Sequence, residues 1–443
     1  MYAQQQKPVR EIRGQTGPVG HGARQNMKSI FSARLSKRTA FKPGFGTLLG
    51  TMLLLSACQS VNYGLPQTQT TSNPAPAFVE TSLAVKTGVA EGEVLGSGQT
   101  RVALLLPMTA TGNVTAIATE YRNAAELAIQ TRGENTMELV IKDTGGTAAG
   151  AIARTEEAVR EGAAIILGPV FSGSVTSAAS VASPNNRMMI AFSSDPGAAS
   201  DGVFLMSFLP DQIVDRTVTY SASIGMSSMA AILPNGAYGL LVERQLRETL
   251  AQRGGVLTGV ARYDYSNDSI VAAVKEILPA LEEANAIFIP DGGTAPIALA
   301  RVLQSEGVNL REKRLIGTGQ WRSSDLTSAF LQGALFADMD QAGFESFKNR
   351  YREKYGTAPS VNGGLGYDAV TLVADLLASG NPQALSRRSL ENPTGFQGST
   401  GLFRFLPNGG TQRGLAVYQI VEGQANVVDP APTYFGPTTS AQF

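Results

Sequence analysis

The sequence predicts an α/β protein of two lobes, each a parallel sheet flanked by helices, joined by a three-strand hinge. Two observations predict it. Between residues 100 and 425, short apolar runs alternate with segments whose apolar residues recur at helical spacing, the pattern of strands buried on both faces and helices laid over them. That stretch is also longer than one hydrophobic core usually serves.

Residues 1–57 read as a leader outside the fold. Nine Lys/Arg precede the apolar run Phe45–Leu55 and only Glu11 opposes them, a positive segment followed by a hydrophobic one of signal-peptide length. The run is too short to cross a bilayer as a helix. It ends in Leu55-Ser56-Ala57-Cys58, which resembles a bacterial lipobox, so Cys58, the only cysteine, is the expected lipidation site. Met27 is a second candidate start. Gln59 after the cysteine is compatible with outer-membrane sorting; the expected location is the periplasm of a Gram-negative bacterium, lipid-anchored to the inner or outer membrane.

Losing residues 1–57 removes nine bases and one acid, leaving 27 bases against 35 acids, an excess of eight negative charges. That charge argues against nucleic acid or an anionic membrane surface as the main ligand. His21, the only histidine, also leaves, so the mature chain has neither imidazole nor free thiol. Ser-His-Asp and Cys-His catalysis and His/Cys zinc sites are thereby excluded. Neither a metal, a cofactor nor an enzymatic activity is expected. Glu156-Glu157 and Glu282-Glu283 are helix neighbours about 100° apart, read as solvated faces and not as facing acid/base pairs.

Residues 58–99, rich in Gln, Thr, Ser, Pro and Gly, read as a disordered tether. The first lobe, 100–212, opens with the strand Arg101–Pro107 and a helix carrying Tyr121, Ala124, Ala125 and Ala128. Leu139–Ile141 is a second strand, exiting through Asp143-Thr144-Gly145-Gly146, and a helix with Ile152, Thr155 and Val159 follows. The third strand, Ala163–Leu167, is stopped by Gly168-Pro169, and the cluster Ser172-Gly173-Ser174 then starts a helix. Ligands settle at such carboxyl ends of strands, where free helix N–H groups and hydroxyls hold polar groups; the plain alternative is that these serines only cap the helix. Met188–Phe192 makes a fourth strand ending in Ser193-Ser194-Asp195-Pro196.

The second lobe, 213–340, repeats the pattern. Strands at Met229–Leu233, Val256–Tyr263, Ala286–Ile289 and Leu315–Gly317 exit into Gly-rich or polar loops, among them the loop with Tyr238, Asp291-Gly292-Gly293 and Gly319-Gln320-Trp321. Residues 341–388 return to the first lobe with Phe344, Phe347, Tyr351 and a helix opened by Gly366-Tyr367-Asp368. In 389–425, Leu402–Leu406 and Gly414–Val421 flank the turn Pro407-Asn408-Gly409-Gly410, a hairpin expected on the second lobe, and 426–443 read as an irregular tail. Three passes between lobes make the hinge a bundle of strands.

Arg101–Pro107 with its Ala-rich helix, Gly168-Pro169, Tyr238-Gly239, Tyr367-Asp368-Ala369 and Phe396-Gln397-Gly398-Ser399-Thr400-Gly401 together resemble the Leu/Ile/Val-binding, type I periplasmic binding proteins over about residues 100–425. Ile166–Phe171, Ala191–Asp195 and Gly317–Trp321 look closest to the branch called penicillin-binding protein activators. The resemblance implies lobes that close on a small ligand, commonly an amino acid handed to an ABC importer, with the carboxylate held by the loops that match Ser172–Ser174 and Ser193-Ser194. Asp195 departs from the receptor pattern, because an acid beside a bound carboxylate costs on the order of 1 to 4 kcal/mol. It points away as a cap, meets an ammonium, or signals that no amino acid binds.

Two functions stay open. A solute receptor uses Ser172, Ser174, Ser193, Ser194, Tyr238, Asp291 and Trp321 around the cleft, with an ABC transporter permease as partner. An activator docks on a penicillin-binding cell-wall synthase by an outer surface. The cleft loops favour the receptor.

Overall fold

The computed structural model describes residues 83–436; the leader, Cys58, both candidate starts and the tether up to residue 82 lie outside the described residues. The body begins earlier than the tether reading allowed. Residues 83–99 form an arm on the first lobe that includes the edge strand β1 (Glu93–Leu95), paired antiparallel with β3. The reason is electrostatic as well as steric. Arg101, buried, donates to the carbonyls of Thr87 and Gly88, and Lys142 Nζ donates to the Glu91 carbonyl at 2.7 Å, so two cations satisfy arm backbone that would otherwise face protein. Lys142 is also paired at 2.5 Å with Glu157 and at 2.9 Å with Glu161. Glu157 is therefore, with Glu161, a buried partner of a buried lysine, which corrects its reading as a solvated face; Glu156, Glu282 and Glu283 are exposed.

The first lobe is built from β2 (Arg101–Leu106), α1 (Asn113–Arg132), β3 (Glu138–Asp143), α2 (Ala148–Arg160), β4 (Ile165–Leu167), α3 (Ser172–Ala182), β5 (Met188–Ala191) and β6 (Val203–Leu205). The sheet order is β1-β3-β2-β4-β5-β6, with β2 to β6 parallel. Every residue of β2, β4 and β5 is buried, as continuous apolar runs covered by helices on both faces require. One face packs against Tyr121, Ala124, Ala125 and Ala128 of α1, the other against Val175, Ala178 and Ala182 of α3.

The second lobe follows through α4 (Pro210–Ser223), β7 (Ser228–Pro234), α5 (Ala237–Gln252), β8 (Val256–Tyr263), α6 (Asn267–Leu281), β9 (Ala286–Phe288), α7 (Ala295–Ser305), β10 (Arg314–Thr318) and β11 (Leu335–Met339). The chain then returns to pack α8 (Gln341–Tyr355) and α9 (Val361–Ala378) into the first core through Phe344, Phe347, Tyr351 and Leu365. A short α10 (Arg387–Leu390) leads to β12 (Phe396–Gly398), β13 (Gly401–Phe405), β14 (Thr411–Arg413), β15 (Leu415–Val421) and β16 (Gln424–Asp429). The second sheet runs β16-β15-β11-β10-β9-β7-β8, with β15 antiparallel to both of its neighbours, β11 and β16, and the other strands parallel to one another.

Two elements differ from expectation. The hairpin is divided: β13 pairs with β12 and β14, not with β15, and its Phe403 and Phe405 enter the first core beside Phe204, while only β15 joins the second sheet. Phe405 lies 5.1 Å from Phe204 between ring centroids, and the apolar face of β13 finds its partner there. Residues 426–429, read as tail, belong to the edge strand β16, which forms because alternate backbone groups of β15 remain to be paired.

The lobes are crossed at three places: Met206–Leu209 between β6 and α4, Asp340 between β11 and α8, and Gly414 between β14 and β15. One buried network ties them. Asp368, in α9, accepts from Ser399 N at 2.6 Å, Thr400 N at 2.9 Å and Thr400 Oγ1, while Arg413 donates to Thr400 Oγ1 and to the Ser207 carbonyl, both at 2.9 Å. Burial lowers the Arg413 guanidinium to about 10, with Asp368 opposing that fall.

Candidate functional site

The first crossing leaves the carboxyl end of β6, and the second leaves the carboxyl end of β11. In each sheet the parallel strands therefore direct their exit loops toward the crossings, and the two loop sets face one another. Open α/β sheets bind ligands at these ends.

In the first lobe the sharp exit from β4 depends on Gly168, whose φ is +79° and whose Cβ would collide with the Leu105 carbonyl. Pro169 O accepts from Phe192 N at 2.9 Å, which sets the β5 exit loop beside the β4 one. Ser172, Ser174, Ser193 and Ser194 are thus on adjacent loops, with different surroundings. Ser174 is only 3% exposed at the start of α3, and its hydroxyl bonds to no protein group. It is not a cap, because Phe171 holds the N-cap position without a side-chain bond. Ser193 is buried and accepts from Asp195 N at 3.1 Å; Ser194 is exposed. Asp195 caps the short turn that follows, accepting from Gly197 N at 3.0 Å, the first of its three readings.

Sequence reasoning passed over two first-lobe groups. Asp143 accepts from Thr109 N at 3.2 Å, Thr109 Oγ1 at 2.7 Å and Gly145 N at 2.8 Å. Burial pushes its carboxyl up, and these donors outweigh burial and hold it below the usual range. Phe171, 40% exposed, lies over Gly146, where a Cβ would sit 3.4 Å from the ring.

In the second lobe Tyr238 Oη donates to the Pro290 carbonyl at 3.3 Å and accepts from Gln320 Nε2 at 3.0 Å. Asp291, adjacent in sequence to Pro290, is 9% exposed and accepts from Tyr263 Oη at 2.7 Å and Gly292 N at 2.9 Å. Tyr265, missed in the sequence, is 74% exposed with its ring edge 5.8 Å from Tyr263. Burial, then the Asp291 charge, pushes the Tyr238 phenol up to about 12, and Asp291, then burial, does the same for Tyr265. Both stay neutral donors at physiological pH. The signal available was positional: Tyr263-Asp264-Tyr265 ends a strand just before the helix cap Ser266.

Trp321 does not join this set. Its side chain is fully buried, its Nε1 donates to the Ile289 carbonyl at 2.9 Å, and the indole lies across Gly317 against Phe336. The expectation that Trp321 contacts a ligand is corrected: a glycine in the neighbouring strand opens room for the ring in the core, and burying an indole there gains more than exposing it.

Among the described residues no group of three or more His, Cys, Asp or Glu is placed to hold a metal ion, and no helix is long and apolar enough to cross a membrane.

A family model described as periplasmic binding protein matches residues 99–425. The chain belongs to this family. Among solved structures, this periplasmic binding protein is similar to an ABC transporter substrate-binding protein from Sphaerobacter thermophilus, with 21% identity, TM-score 0.62, and 76% of this chain and 99% of the other covered. It is also similar to a branched-chain amino acid ABC transporter periplasmic ligand-binding protein from Burkholderia xenovorans LB400, with 20% identity, TM-score 0.61, and 76% and 96% covered. A branched-chain amino acid transporter substrate-binding protein from Streptococcus pneumoniae, solved with isoleucine, shares 19% identity and a TM-score of 0.54, with 75% and 99% covered. The uncharacterized protein RP748 of Rickettsia prowazekii (strain Madrid E) is 23% identical over 176 residues, 40% of this chain; the match spans about half, 46%, of that curated relative. The fold is the two-lobed one of the Leu/Ile/Val-binding, type I proteins.

Proposed function

We propose that this periplasmic binding protein is a solute receptor that takes a small, amino-acid-like ligand between its lobes and presents it to the permease of an ABC importer, from a body tethered in the periplasm by a lipid on Cys58. The observation that carries the reading is the unpartnered hydroxyl of the largely buried Ser174 at the start of α3, in the loop set at the crossing end of the first lobe, as Tyr238 and Asp291 are in the second. Its hydroxyl bonds to no protein group and is reached by solvent, so it is free to bond a ligand there. Tyr238, Asp291, Ser193 and Ser194 supply the remaining polar contacts, and Ser172 the adjacent helix-start N–H.

The test is calorimetry and thermal shift of the protein against a panel of amino acids and small amides. A lost hydrogen bond to a charged ligand group costs roughly 1.5 to 3 kcal/mol, so Ser174→Ala weakens affinity by about one to two orders of magnitude. Because Ser174 caps nothing, the melting temperature without ligand stays nearly unchanged. If every solute is silent while a purified cell-wall synthase binds at micromolar affinity or tighter, the receptor reading falls and an activator role replaces it. For the anchor, Cys58→Ala yields a folded protein that no longer partitions with membranes; partitioning that survives a high-salt wash refutes lipidation there.

A further inference from the structure

We infer that the site between the lobes takes an organic cation, a ligand carrying an ammonium and no free carboxylate, such as an amino-acid amide or a primary amine; this rests on the receptor reading above. The facing loops hold five carboxylates, Asp143 and Asp195 on the first lobe and Asp264, Asp268 and Asp291 on the second. Among the described residues none of the five is paired with Lys or Arg. Asp143 and Asp291 are met by hydroxyls and backbone N–H, Asp195 by the N–H of Gly197, and Asp264 by Asn235 Nδ2 at 2.8 Å.

Two basic residues stand at these strand exits, and both are spent: Arg262, at the end of β8 beside Gly239, pairs with Glu243, and the other is Arg322. Its guanidinium pairs with Asp338 and lies 4.5 Å from the Tyr418 ring centroid and 5.4 Å from that of Phe336. Arg413, at the crossings, is enclosed and opposed by Asp368. A ligand carboxylate would thus enter a field of uncompensated negative charge with neutral donors alone to hold it, whereas an ammonium would be drawn in.

Two further observations point to a ligand and not only to charge. The hydroxyl of Ser174, a residue only 3% exposed, bonds to no protein group and is open to a ligand, and it suits an amide or ammonium as well as an anion. Phe171 and Tyr265, 40% and 74% exposed on opposite loop sets, offer ring faces that attract a cation.

The test uses four probes on one skeleton, titrated calorimetrically into the full-length protein: L-phenylalaninamide and 2-phenylethylamine, both cationic, L-phenylalanine, zwitterionic, and 3-phenylpropionate, anionic. The amide and the amine are expected to bind at least about tenfold tighter than the zwitterion, with the anion silent. Raising salt from about 0.05 to about 0.5 M weakens the cations several-fold, and Asp291→Asn weakens the amide by about tenfold or more. The salt series needs no variant to fold. Phenylalanine binding as tightly as the amide, or affinity indifferent to salt, overturns the inference and leaves the receptor reading standing. So does silence of all four with a response to a neutral or acidic solute in the wider panel. Silence of every solute in both panels overturns the receptor reading as well.

Discussion

Replacing Asp368 by Asn should be among the most damaging single changes in this protein. The carboxylate accepts one bond on Oδ1, from Ser399 N, and two on Oδ2, from Thr400 N and Oγ1. Three donors and no acceptor surround it, an arrangement fitted to the ionised form although burial pushes its carboxyl up. An Asn can keep its oxygen toward Thr400, but its amide then faces the Ser399 N–H, donor against donor. One charge-assisted bond, worth about 1.5 to 3 kcal/mol, is lost outright and two become neutral ones. Arg413, 6% exposed, also loses the nearby charge that compensates it, and breaking one side of a buried pair costs about 3 to 5 kcal/mol. These terms overlap, so we expect a loss of about 3 to 5 kcal/mol in urea unfolding, out of a total of order 5 to 15 kcal/mol. Arg413→Met should cost a similar amount alone. The double variant should be less destabilised than the sum by at least about 1 kcal/mol, because the two side chains act through the shared Thr400 hydroxyl. Asp368→Asn within about 1 kcal/mol of the parent, or strict additivity with Arg413→Met, would refute the network as the tie between the crossings.

Three other outcomes follow from the same geometry. Gly317→Ala places a methyl inside the Trp321 indole and should cost about 1 to 3 kcal/mol with a change in tryptophan emission; an unchanged spectrum and stability would place the ring elsewhere. In the parent, Trp321 emission should be blue-shifted and resist acrylamide quenching, and ligands that raise the melting temperature should quench it little, since the ring is enclosed. Burial raises the Glu138 carboxyl, but Arg101 at 2.5 Å and Lys86 at 3.0 Å outweigh it and hold it below the usual range. A carboxyl depressed in the folded state contributes stability above its ordinary range and loses it as pH falls through the depressed value. Amide protection in residues 83–99, measured against the intrinsic exchange rate at each pH, should fall selectively on acidification below about pH 4.5, and Glu138→Gln should show that lower protection already at pH 7.

How much of this could be read from the chain depends on whether the deciding interaction was local. The alternation of buried strands and covering helices was legible because a strand such as Arg101–Leu106, enclosed on both faces, has to be an apolar run, and because a helix such as α1 has to show its Ala and Tyr stripe. The exit loops were legible for the same reason, since Gly168-Pro169, Asp291-Gly292 and Tyr238 stop or start elements by their own chemistry. The sequence could also reveal that Ser174 begins a helix, but not that the residue is largely buried with its hydroxyl left without a protein partner.

Elsewhere the partner lies far along the chain, and only the tertiary structure decided. Trp321 stands in a polar, Gly-rich loop that looks exposed, and what holds it in the core is the Ile289 carbonyl, 32 residues earlier, together with Phe336 on β11. The motifs around Asp368 and Thr400 were visible as separate signatures, yet their meaning is that one accepts hydrogen bonds from the other across 32 residues of sequence. Residues 83–99 have a tether's composition and still fold, because Arg101, Lys142 and the edge of β3 supply partners their own residues lack. Periodicity and turn chemistry act within a few residues and are written in the chain; charge compensation, cavity filling and edge pairing act between distant segments and exist only once the lobes are assembled.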